Sequence, residues 1–207
     1  MSSYPVQRYP SPRPVMSLED FIDYYAKAEK YDYVDGHFET RATYAEYCLW
    51  ILREPKRWLL DRLTLTEVAN VLHAMPRPSG DGRLPIELRF DIARADIYVF
   101  KEVFEPLVGT ATDDGVAQLG SVCFMWWDNC AFEEPAFAEI FRAEATYLLK
   151  SPNPAVRRAA LHGLGHHIFI ARDELAISLI DVYLHEGIGL KPDEVKYAKD
   201  ARAGNVL

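Results

Sequence analysis

The stretch SPNPAVRRAALHGLGHH, residues 151–167, most narrows what this 207-residue chain can fold into. Ser151, Pro152, Asn153 and Pro154 favour a turn followed by a helix start, because proline is tolerated in a first helical turn and not in the interior. Val156, Ala160 and Leu164 then recur at i, i+4 and i+8, which places them on one helical face. Ala159 and Gly163 are small and let a neighbouring helix approach closely. Arg157 and Arg158 lie on the first turn. A helix of this design is made to pack against other helices.

The order Asn153-Pro154, Val156-Arg157, Ala159-Ala160, Leu164-Gly165 resembles the second helix of a HEAT repeat. That family's pattern runs Asp/Asn-Pro, Val-Arg, Ala-Ala, Leu-Gly. The resemblance implies an all-α chain, an α-α superhelix of HEAT-like (armadillo-type) helix pairs repeating at about 40–47 residues. A displacement of about 40 residues sets Asp113 over Asn153, Val116 over Val156 and Phe124 over Leu164, without the prolines or the arginine pair. Helices near 86–107 and 135–150 then open two pairs, helices near 113–130 and 153–171 close them, and 174–186 opens a third. The segment from Pro192 to Ala203 carries Lys196, Lys199 and Asp200, the polarity expected of a capping helix.

The rest of the chain divides around this array. Residues 1–16 hold four prolines and read as an extended arm. Residues 17–75 read as an N-terminal helical lobe. Ser17 is the expected cap of its first helix, Thr43 with Glu46 a capping box, and Thr66 a third cap. Asp35-Gly36, within 31–40, signals either a small β-hairpin or an irregular loop. Residues 76–85, PRPSGDGRLP, form a loop that either separates two lobes or lies on the surface. Residues 86–207 carry the repeats, with one continuous domain as the expectation.

Charge and cysteine content restrict function. Lys and Arg number 23 against 31 Asp and Glu, a net −8. Residues 101–207 hold 10 of those basic and 16 of those acidic side chains. An acidic surface repels phosphates, so nucleic acid is an unfavourable partner and a basic protein a favourable one. Three cysteines, Cys48, Cys123 and Cys130, form neither a disulfide framework nor a metal-ligand spacing. No apolar run approaches the roughly 18 residues of a membrane span, and the chain start lacks a signal-peptide pattern. A cytoplasmic protein is the expectation.

Three constellations could carry chemistry. His162 and His166 share a helical face, and Asp181 and His185 repeat that spacing on the next helix. Together they could hold zinc or iron, yet Arg158 lies on the same stripe, so an interhelical polar face is the favoured reading. HEAT-like deoxyhypusine hydroxylases use several His-Glu dipeptides, and this chain has His185-Glu186 alone. Trp126-Trp127-Asp128 resembles the base-holding residues of HEAT-like DNA glycosylases, but those also use a basic groove, and core packing is expected instead. Cys123 and Cys130 lack the context of a catalytic thiol, and no phosphate-binding or nucleophile-elbow motif occurs. No catalytic residue, metal or cofactor is therefore assigned.

The repeat gives the acidic residues an order. Asp128, Glu133 and Glu134 fall in one inter-pair turn, and Asp173 and Glu174 in the next. They would stack along one edge as a protein-binding surface that attracts a basic partner. The functional expectation is a non-catalytic protein-binding scaffold, in concrete form a bacterial immunity or antitoxin-type protein. The alternative is a HEAT-like enzyme, metal-dependent or acting on nucleic acid.

Overall fold

The computed structural model describes residues 16–27, 38–75, 78–110, 113–129, 134–187 and 190–206. Among these residues the chain is all-α, with no strand. The helices are α1 (Leu18–Ala26), α2 (Phe38–Arg53), α3 (Leu65–Ala74), α4 (Ile86–Val99), α5 (Glu105–Leu107), α6 (Asp114–Phe124), α7 (Pro135–Leu148), α8 (Pro154–Ala171), α9 (Glu174–Glu186) and α10 (Pro192–Arg202). No helix among the described residues is long and apolar enough to cross a membrane.

Polar side chains ahead of each apolar run set several starts. Ser17 Oγ accepts from the Asp20 N–H at 3.1 Å and caps α1, as its sequence position implied. Asp113, Asn153 and Asp173 cap α6, α8 and α9 in the same way. The α3 cap is Thr64 and not Thr66. Thr64 Oγ1 takes the Glu67 N–H, while the Glu67 carboxylate takes the Thr64 N–H at 2.9 Å. Thr43 is also displaced from its expected role. Helix α2 already begins at Phe38, so Thr43 lies inside it and Glu46 closes no capping box. The helix formers Glu39, Arg41 and Ala42 carry the helix through Thr43 without a break. The Asp35-Gly36 turn and the arm up to residue 15 lie outside the described residues.

Helices α4 and α5 are joined by a π-helical turn, Phe100–Phe104, so the expected rod from Ile86 to Leu107 is continuous. Pro106 lacks an N–H and crowds the carbonyl four residues back, a local reason for the widened turn.

Packing follows chain order in two rows. In one, α2 packs on α4 and α4 on α7. In the other, α1 packs on α3, α3 on α6, α6 on α8 and α8 on α10. Helix α8 also contacts α7 and α9, and α9 contacts α10. The α2–α4 and α3–α6 contacts bridge the loop at 76–85, and one apolar cluster runs from Phe21 and Ile22 through Trp126 and Trp127 to Leu164, Ala201 and Val206.

Glycines permit the tightest approaches. A Cβ on Gly163 would meet Trp127 Cγ at 2.6 Å, and one on Gly165 would meet Val206 Cγ1 at 2.3 Å and the Ala201 backbone at 3.2 Å. Gly163, on the small face read from the sequence, is thus where α8 meets the 3-10 turn Trp126–Asn129, and Gly165, on the opposite side of α8, is where it meets α10 and the residues after it.

Polar joins tie successive helices. Asn153 caps α8 and also donates through Nδ2 to the Glu105 and Val108 carbonyls, at 3.0 and 2.9 Å. Arg157 grips Glu194 with two bonds of 2.6 and 3.1 Å and donates to the Ser151 carbonyl at 2.8 Å. Asn153 and Arg157, picked out by the repeat pattern, both connect α8 to neighbouring segments.

Candidate functional site

The five acidic residues expected to line an edge have different fates. Glu134 pairs with Arg89, whose side chain is buried on α4 and also donates to the Ser79 carbonyl. Asp173 pairs with Arg142 of α7 and with His167 Nε2 at 2.8 Å, while its other oxygen caps α9. Burial alone pushes the Asp173 carboxyl up, but Arg142, His167 and the N–H groups of Leu175 and Ala176 outweigh it and hold it below the ordinary range. Asp128 faces two histidines. Glu174 is exposed at the start of α9, and Glu133 lies outside the described residues. Glu134 and Asp173 therefore spend much of their charge on Arg89 and Arg142.

The histidine constellation also forms differently. Asp181 is held by Arg202 through bonds of 2.5 and 2.9 Å, and His185 is exposed in the last turn of α9. Neither joins His162 and His166. Their partner is Asp128, on the 3-10 turn ahead of α7. Asp128 Oδ1 lies 3.0 Å from His162 Nε2 and 3.4 Å from His166 Nε2, and the two Nε2 atoms are 3.1 Å apart. Among the described residues these three form a group whose potential metal-ligand atoms all lie within 4.8 Å of one another.

Each member is placed by a visible cause. The i, i+4 spacing on α8 brings the two imidazoles together edge to face, with ring centroids 4.5 Å apart and planes 89° apart. Trp126 and Trp127, 1% and 2% exposed, anchor the 3-10 turn in the core. Trp127 stacks on Phe100 at 5.5 Å and meets Phe141 edge-on at 4.9 Å. Because Gly163 has no Cβ, Trp127 can press against α8, and Asp128, the next residue, arrives over His162. His162 is itself buried, with Phe124 4.2 Å from its ring and Tyr197 Oη 2.9 Å from Nδ1. Burial lowers the His162 pKa, with His166 and Arg158 adding to the effect and Asp128 opposing it. Burial likewise raises Tyr197 to about 12. Arg158 lies over the Tyr197 ring, 4.4 Å from its centroid.

Chemically, two imidazoles and one carboxylate converge on a point. The readings that needed exposed tryptophans or a reactive Cys123 lose their basis, and Cys130 lies outside the described residues. Both tryptophans are inside the core, unavailable to stack on a base. Cys123 is buried, and burial pushes its thiol up, away from a reactive thiolate. Sequence spacing paired His162 and His166 with Asp181 because both pairs were periodic. The contact with Asp128 spans 34 residues and has no periodic signature. Its one local signal was Gly163 beside His162, a mark of close approach on that face. No family model matches the chain, and neither does any curated protein or solved structure.

Proposed function

We propose that this chain is a HEAT-like α-helical superhelix that binds another protein, of basic character, without catalysing a reaction. The observation that carries this reading is packing in chain order: each helix rests chiefly on near neighbours in two rows, with Asn153 tying α8 to α5 across the rows and Arg157 tying α8 to α10 within one. Such arrays expose extended faces for recognition. The net charge of −8 favours a basic partner and raises its association rate. A bacterial immunity or antitoxin-type role, in which an acidic protein neutralises a basic nucleic-acid-cleaving toxin, is its concrete form.

The neutralised edge moves the proposed contact toward the α8–α9 turn. Glu174 is exposed there, next to Leu175 at 60% exposure, with Phe169 at 68% exposure four residues before Asp173. Leu175 and Val182, seven residues apart, share one exposed face of α9. Apolar anchors beside a carboxylate suit a basic protein surface.

The test uses the tagged full chain in lysate of its native host, at low and high salt. The expected result is retention of a basic polypeptide that is released by salt and lost in a Glu174→Lys, Leu175→Ser double variant, while Asp61→Lys retains it. Retention that ignores both salt and the double variant refutes the reading.

A further inference from the structure

We propose that Asp128, His162 and His166 bind a single divalent transition-metal ion of the zinc class, with at least one coordination position open to solvent. This goes beyond the protein-binding reading and does not depend on it. Four arguments lead there.

The first is distance. The three ligand atoms form a triangle with edges of 3.0, 3.1 and 3.4 Å. With metal–ligand bonds of about 2.1 Å, ligands at right angles sit about 3.0 Å apart and tetrahedral ones about 3.4 Å apart. Every edge falls in that interval. An ion bonded to all three atoms lies out of their plane, so further positions face away from the triangle.

The second is proton accounting. A neutral imidazole has one N–H and one lone pair. If His162 Nδ1 donates to Tyr197, its Nε2 turns a lone pair toward the Asp128 carboxylate and His166 Nε2. If Tyr197 donates instead, the single Nε2 hydrogen faces two acceptors, at 3.0 and 3.1 Å. A second hydrogen on His166 Nε2 would point at the first. One cation meets all three lone pairs at once.

The third is preorganisation. Two ligands stand on α8, the third on a turn pinned by buried tryptophans, and Tyr197 Oη holds His162 Nδ1 at 2.9 Å. A hydrogen bond on the far nitrogen of a ligating histidine orients the ring and raises its basicity. The fourth is chemistry and access. Two imidazoles and one carboxylate select zinc-class ions over calcium or magnesium. The His166 and Asp128 side chains are 19% and 26% exposed, which leaves a route for the ion and for a water or small anion. Arg158 opposes a cation electrostatically, and an anion in the open position offsets that charge.

The experiment is titration calorimetry of the chelator-stripped full chain with zinc chloride, with cobalt(II) absorption as an independent reading of ligand geometry. Wild type and Asp181→Asn are expected to bind about one equivalent, since Asp181 is outside the group. His166→Ala and Asp128→Asn are expected to lose affinity by more than about 100-fold, and Tyr197→Phe by about 10–100-fold. Circular dichroism establishes that each variant is folded. His166→Gln serves as a second ligand variant if His166→Ala does not fold. Less than about a tenth of an equivalent in wild type, or affinity unchanged in folded His166 and Asp128 variants, overturns the proposal.

Discussion

Replacing Gly163 by alanine tests the close approach that brings Asp128 to the histidines. The new Cβ would lie 2.6 Å from Trp127 Cγ and 2.7 Å from Cδ1, whereas ordinary contact begins near 3.4 Å. Trp127 has little room to retreat, because Phe100 stacks on it and Phe141 abuts its edge. Overpacking of this kind costs about 1–3 kcal/mol, and alanine returns about 1 kcal/mol of helix propensity. With the ring walled in, a net loss of about 1–2 kcal/mol is expected, a fall in melting temperature of about 2–8 °C for a chain of this size. Gly120, also inside a helix, is the control. Its Cβ would meet only Val108 Cγ1, at 3.7 Å. Gly120→Ala is therefore expected to raise stability by about 0.5–1 kcal/mol. Calorimetric melting of the two variants beside wild type decides the matter. A melting temperature for Gly163→Ala at or above wild type would refute the packing argument.

Three further outcomes follow from the polar network. Asn153→Ala removes a helix cap and two bridging bonds to α5 and the residue after it, a loss of about 2–4 kcal/mol by guanidinium unfolding; a midpoint equal to wild type contradicts that role. Glu144 is buried between α4 and α7, where burial and then the Asp96 charge hold its carboxyl well above the ordinary range, against the opposing Ile97 N–H. The unfolded chain releases that proton near 4.5 while the folded chain keeps it, so stability declines as pH rises above 4.5 toward the folded value. Glu144→Gln is then expected to stabilise the protein at about pH 8 and not at about pH 4; equal effects in urea unfolding at both would contradict the linkage. Arg172 ends α8 in the left-handed region at φ 51°, so Arg172→Gly is expected to gain about 1 kcal/mol, read as a raised urea midpoint.

The second half of the fold was legible from residue pattern because proline, capping residues and helical periodicity act locally. Pro135, Pro154 and Pro192 open helices where the pattern put them, and Asp113, aligned with Asn153, takes the same capping role. The α3 cap was visible as Thr64-x-x-Glu67, but Thr66 competed with it two residues on. Long-range pairing was not legible. Nothing near Glu134 or Asp173 in the chain announces Arg89 or Arg142, which arrive from other helices and consume the edge charge. The same limit hid Asp128 behind the better-spaced Asp181, whose charge goes to Arg202.

The Asp173 carboxylate serves three helices at once: it caps α9, pairs with Arg142 of α7 and meets His167 of α8. The first turn of a helix ordinarily frays by itself, on a timescale unrelated to its neighbours. Here the first turn of α9 cannot open without also releasing Arg142 and His167. The opening event is shared, so amide hydrogens at the start of α9 are expected to exchange more slowly than those of a freely fraying helix end. A signal received at the exposed residues of that turn would therefore reach α7 as a change in lifetime, not in shape.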